Sequence, residues 1–161
     1  MRIYQFVSTS IIGIASVVVA RAEGMCTTKE VAIFNCELEK SVSSLCQSTE
    51  NGVLIYRNGV DGKVNFQTPG SKQDAKDLFF LSYAPYAGGG EAHIRFYWLG
   101  RTYYLYDRVI KGDGGPMFSS GISIYKRKEK ISNCSCGNDA SIRAIAYQSI
   151  ARETYRSIGA R

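Results

Sequence analysis

Five cysteines and one histidine carry most of the reactive chemistry in this chain. The cysteines are Cys26, Cys36, Cys46, Cys134 and Cys136, and the histidine is His93. Thiols can ligate a metal, attack a substrate or pair with one another. Metal is disfavoured by spacing. Cys134-Ser135-Cys136 has one intervening residue, where zinc knuckles have about two to four. His93 has no second histidine or cysteine near it in sequence to form a dyad. It reads as a strand residue on the wetter face. Gly88-Gly89-Gly90 suggests a phosphate cradle, but no Lys-Ser/Thr pair follows it. Neither the helical His-Glu-x-x-His nor the Gly-x-Ser-x-Gly elbow occurs. No catalytic residue, metal or cofactor is therefore assigned, and the expectation is a protein that is not an enzyme.

Disulfide pairing is the chemistry the compartment favours. Met1-Arg2 starts positive, an apolar run spans Ile11 to Ala20, and Ala20-Arg21-Ala22 has the small-x-small form that signal peptidase accepts. Residues 1–22 thus read as a cleavable signal peptide. The apolar run is too short for a membrane anchor, which needs about 20 residues. Cleavage removes Arg2 and Arg21 and takes the formal net charge from +6 to +4. The expected product is periplasmic or secreted, not an integral membrane protein, and oxidised. Cys36 and Cys46 are equidistant from Ser41, so a hairpin turning there would oppose them. The expected bridges are Cys36–Cys46, and Cys26 with Cys134 or Cys136. One cysteine is left over, either free or bonded between chains in a homodimer.

The elements that position these groups read mostly as strands. Val53–Arg57 and Lys63–Gln67 flank Asn58–Gly62 as a hairpin. Ser71 can cap a helical turn, and a strand follows from Leu78. Ala84–Gly90 reads as a loop whose glycines mark a bulge or a close backbone approach. Glu91–Trp98 alternates, with Ile94, Phe96 and Trp98 on the core face, and returns through Thr102–Asp107 with Leu105 in the core. Residues 111–121 read as a long flexible loop, and Lys126–Lys130 as a solvated basic turn. Ile142, Ile145, Ala146, Ile150 and Ala151 recur at helical spacing, predicting an amphipathic helix over 139–157. The fold class is mainly β: a single antiparallel sheet, barrel-like or sandwich domain of hairpins over 23–137, with a C-terminal α-helix in 138–161. Nucleic acid would need a basic surface interleaved with stacking aromatics, so no nucleic-acid partner is expected.

Several of these segments together resemble small exported β-rich proteins of Gram-negative bacteria that are mostly uncharacterised. The resemblance runs over about residues 30–136. It rests on Cys36 with Ser44-Leu45-Cys46, on Tyr56-Arg57-Asn58-Gly59-x-x-Gly62-Lys63, on Gly88–Gly90, on Tyr103–Tyr106 and on Gly121–Ile124. In size and architecture such proteins look like periplasmic lysozyme inhibitors. The inhibitor signature, Ser-Gly-x-x-Tyr followed by Trp-x-x-Gly, is not matched in spacing or order by Ser120-Gly121 and Trp98-Leu99-Gly100. No inhibitory residue is carried over.

The expected function is a periplasmic binding protein that inhibits, or gives immunity against, a cell-wall-cleaving enzyme. Its partner would be another protein, a hydrolase or a rival cell's toxin. Tyr86, Arg101, Lys111, Ser119 and Ser120 are the expected contact residues, since cations and hydroxyls can bond to the carboxylates of a hydrolase cleft. The alternative is a structural or envelope-interaction module that docks through its C-terminal helix.

Overall fold

Residues 23–70 and 78–158 are described by the structure, a computed structural model. The expected signal peptide and the Ser71 cap lie outside the described residues. Ten strands form two sheets. Sheet A holds β1 (Glu30–Glu37), β2 (Val42–Ser48), β3 (Leu54–Val60) and β4 (Lys63–Thr68) in sequential antiparallel order. Sheet B has the order β10-β5-β6-β7-β8-β9. It comprises β5 (Phe80–Tyr86), β6 (Gly89–Trp98), β7 (Arg101–Gly112), β8 (Gly115–Lys126), β9 (Glu129–Ser135) and the two-residue β10 (Ala151–Arg152). Only β10 runs parallel to its neighbour. The protein is mainly β, and of the expected architectures the sandwich is the one adopted.

The alternating apolar residues of both sheets meet in one core. Ile33, Phe34, Leu45 and Tyr56 from sheet A pack against Leu81, Ile94, Phe96 and Leu105 from sheet B. The Tyr56 and Phe96 rings lie 4.7 Å apart across the interface. Trp98 is only half-buried, but it stacks on Phe66 at 4.3 Å. Within sheet A, a buried ion pair ties the start of β1 to β3. The Arg57 guanidinium donates to both oxygens of Glu30, at 2.7 and 2.9 Å. Burial, the largest single influence, raises the Glu30 carboxyl, but the hydrogen bonds from Arg57 and Thr27 together with the Arg57 charge outweigh it and hold the group below the ordinary carboxylate value.

The disulfides are Cys26–Cys46 and Cys36–Cys136, and Cys134 is free and exposed. This corrects the expected Cys36–Cys46 bridge and the expected pairing of Cys26 with Cys134 or Cys136. The hairpin forms, but it turns through Leu38–Ser41, and a bulge between Ala32 and Phe34 shifts the register. Cys36 then opposes Ser43, and Cys46 opposes Ala32. Cys36 faces the shared core, whereas Cys46 faces outward with Cys26 and Ala32. Ser43 is three residues from Cys46 on β2, an odd offset set by where the hairpin turns, and this puts the two cysteines on opposite faces of the sheet. The Cys36–Cys136 bridge instead joins β1 to the chain just after β9.

Two expected loops are strand. Ala84–Tyr86 ends β5, and Gly89 and Gly90 begin β6. A Cβ on Gly89 would lie 1.9 Å from the Val109 carbonyl oxygen, so this glycine admits the neighbouring backbone. Residues 111–121 are not a flexible loop. β7 and β8 pair without a break to Gly112↔Gly115, and only Asp113-Gly114 turns. The tail differs too. A helix is present, but α1 spans only Ala146–Ser149. Ile142, Ala146, Ile150 and Ile158 are buried, so the tail docks on its own domain.

Candidate functional site

An exposed part of the molecule is the end of sheet B that carries the β7–β8 turn. β9 pairs with β8 only from Gly121 to Lys126. Gly115–Ser120 therefore has β7 on one side and no strand on the other. Strand neighbours alternate in which edge their backbone groups face. The Ser120 carbonyl accepts the Cys136 N–H at 3.0 Å, so Ser120 faces the β9 side. Phe118 then presents its N–H and carbonyl to the open edge, and Pro116 only its carbonyl. Such an edge is a template for an added strand or loop.

Beside this edge runs a groove of about 700 Å³, walled by Phe118, Ser119 and Ser120 on one side and by 135–141 on the other. A cavity of about 380 Å³ continues it, lined by Tyr83, Pro85, Gly90, Val109 and Tyr147. Asp107 belongs to both. Its Oδ2 accepts the Ile142 N–H at 3.1 Å, yet burial pushes the carboxyl above its ordinary value. At the hairpin's tip, Phe118 is 75% exposed and Met117 is 52% exposed. Most of an apolar ring thus stands in water on a rigid support, which is how interface anchors are presented.

Four of the five expected contact residues gather at this end. Tyr86 ends β5, and Lys111 lies against the β5–β6 turn, within 2.7 Å of where a Gly88 Cβ would sit. Ser119 and Ser120 are half-buried on β8, and the Ser119 Oγ accepts from Arg108 Nε at 3.2 Å. Arg101 is not brought to the group. It starts β7, ten residues from Lys111, which is about 33 Å along an extended strand. Met117 and Phe118 were missed in the sequence. The Asp113-Gly114 pair, a hairpin signal, would have placed them on a strand, but the surrounding Gly112, Gly115 and Pro116 masked it.

The outer face of sheet B is crossed by residues 153–158, which form a strap. Arg95 holds Glu153 through Nε at 2.8 Å and through a terminal nitrogen at 2.6 Å. The Tyr155 ring stacks on His93 at 5.2 Å, and its hydroxyl donates to Glu91 at 3.3 Å. The Ile158 carbonyl accepts from Tyr125 and Lys130. This strap corrects the placement of His93, which is 0% exposed rather than on a wet face. Its Nε2 lies 2.5 Å from Glu91 Oε1. Burial lowers the His93 pKa and outweighs the raising effect of Glu91. A neutral ring donating from Nε2 leaves Nδ1 as a bare lone pair, and Nδ1 indeed has no partner. Sealed in this way, His93 offers no face to a substrate.

Among the described residues, no group of three or more His, Cys, Asp or Glu side chains could hold a metal ion, and no helix is long and apolar enough to cross a membrane. No protein-family model, curated protein or solved structure matches this chain.

Proposed function

We propose that this is an exported, periplasmic or secreted, protein that binds and blocks a cell-wall-cleaving hydrolase, as an inhibitor or as an immunity protein. The observation that carries the reading is the overhanging β7–β8 hairpin. It is a rigid arm with an open edge and an exposed Phe118. A preorganised arm loses little conformational freedom on binding, so more of the contact energy appears as affinity. Phe118 and Met117 supply an apolar anchor, and Lys111 supplies a cation at the same end for an acidic cleft. The disulfides support export, since paired thiols persist in oxidising compartments.

The test is a lysis assay. The oxidised, processed protein is mixed with a panel of lysozyme-type hydrolases and the rate of cell-wall clearing is followed. One or more enzymes is slowed, Phe118→Asp or Lys111→Glu relieves the inhibition, and Arg101→Glu at the far end leaves it intact. Unchanged lysis across the panel, or inhibition that survives Phe118→Asp together with Lys111→Glu, removes this function.

A further inference from the structure

A second feature lies on the outer face of sheet B, under and beyond the strap. Two cavities, of about 590 Å³ and about 240 Å³, open there. They share Thr102, Tyr104, Arg127 and Arg156, so they are two lobes of one cleft. Tyr125, which opposes Thr102, is seven residues from Phe118 along β8. The cleft is thus about 23 Å from the exposed hairpin tip and independent of it.

The charge of this cleft is one-sided. Arg95, Arg127, Lys128, Lys130 and Arg156 line it, and Glu153 is its one carboxylate. Glu153 is already spent, because Arg95 contacts both of its oxygens. Among the described residues, no ion pair joins Arg127, Lys128, Lys130 or Arg156 to a carboxylate. Glu129 lies opposite Lys126 in the β8–β9 hairpin and does not line the cleft. Four cations gathered around one concavity repel each other, and a bound anion relieves that repulsion.

The cleft is also built rather than incidental. Its floor is tied down by the Arg95–Glu153 fork and by the Tyr125 and Lys130 bonds to the Ile158 carbonyl. Hydroxyls of Thr102, Tyr104 and Thr154 line the larger lobe. Arg127 sits at φ +57° in the tight β8–β9 turn. Turn chemistry favours glycine or asparagine in that conformation. A long cationic side chain holds the position instead, and it reaches into both lobes.

We infer that this cleft is a binding site for a phosphate monoester carried on a sugar- or glycerol-sized organic group. Two guanidinium forks, Arg127 and Arg156, match the geometry of phosphate oxygens. Lys128 and Lys130 add charge, and the hydroxyls and the Tyr104 and Tyr125 rings receive the organic part. The same phosphate chemistry could come from a soluble metabolite or glycan, or from a lipid headgroup.

The test uses the oxidised, processed protein. Glucose 6-phosphate is titrated in a calorimeter at low salt, with glucose as the uncharged control. Vesicles of phosphatidic acid, whose headgroup is a phosphate monoester, and of phosphatidylcholine are then tested by co-sedimentation. The variants are Arg127→Asn, which keeps a residue suited to positive φ, Arg156→Gln, and the pair together. Lys63→Gln on sheet A is the control for net charge. Urea midpoints equal to wild type establish that the variants fold. Expected is saturable binding of glucose 6-phosphate and not of glucose. Each arginine change weakens it about tenfold or more, the size of a lost charge-assisted hydrogen bond, and Lys63→Gln leaves it unchanged. Binding to phosphatidic acid vesicles alone, lost in the double variant, supports the same site and assigns the phosphate to a lipid headgroup. No binding to either probe, or binding undiminished in the double variant, overturns the inference.

Discussion

The two disulfides close loops of very different length, and this sets a measurable order. Cys26 and Cys46 are separated by 20 residues, and Cys36 and Cys136 by 100. In the chain-entropy account, a bridge stabilises by restricting the unfolded chain, in proportion to the logarithm of the loop. The shorter loop corresponds to about 3.3 kcal/mol and the longer to about 4.7 kcal/mol. Cys36→Ala with Cys136→Ala should therefore destabilise more than Cys26→Ala with Cys46→Ala, by about 1.4 kcal/mol. Cys26 and Cys46 are both buried whereas Cys136 is half-buried, so the short pair loses more packing and about 1.4 kcal/mol is the upper value of the difference. Against a total of about 5–15 kcal/mol for a domain, the loss of the long bridge leaves a protein near its unfolding threshold at 37 °C. Urea denaturation followed by tryptophan fluorescence reads the difference, since Trp98 packs between the sheets on Phe66. Both variants should also unfold with a steeper denaturant slope, because the freed unfolded chain exposes more surface. Equal losses, or a larger loss for the short bridge, would refute the assignment of the long bridge as the main staple.

Two further outcomes follow from buried charge. Arg57→Met leaves Glu30 buried without its cation and should lower stability at pH 7 by about 3–5 kcal/mol. The Glu30 pKa is depressed in the folded protein, so its contribution is present above the unfolded carboxylate value and is lost as pH falls through the folded one. The gap between wild type and variant should accordingly narrow by pH 3.5, and a gap independent of pH would contradict the ion pair. His93 has the opposite protonation problem, because its folded pKa lies below its ordinary value. The unfolded chain takes up a proton first, so stability is greatest above the unfolded histidine value and falls as pH drops below it. His93→Gln should flatten stability between about pH 6.5 and 5, measured as urea midpoints. A wild-type midpoint that rises over that interval would show His93 charged in the fold.

Much of the fold was legible because one face of each strand is apolar. Ile94, Phe96 and Leu105 occupy the core as their alternation requires. The Asp61-Gly62 turn likewise closes the β3–β4 hairpin. The failures have a common physical source in long-range register. The polar gap does not reveal that the β1–β2 turn runs through Leu38–Ser41 rather than centring on Ser41, yet that register decides that Cys36 and Cys46 cannot meet. The tail's apolar spacing read as a helix, but only four residues are helical, because β10 pairs with β5 and the strap bonds to sheet B. His93 looked wet because the residues that bury it, Tyr155 above all, lie 62 positions along the sequence from it. The candidate site was half visible. Tyr86, Lys111, Ser119 and Ser120 do share one end, while Arg101, chosen as a cation for an acidic cleft, lies at the other end of β7.

The proposed docking of a hydrolase on the open edge of β8 is tested most directly by hydrogen exchange at single amides. In the free protein the Phe118 N–H should exchange fast, since no strand covers it. Adding a hydrolase that the protein inhibits should slow that amide, with smaller changes around Tyr86 and Lys111. If it exchanges as before while protection appears near Arg101 or along 153–158, the partner binds elsewhere and the account fails.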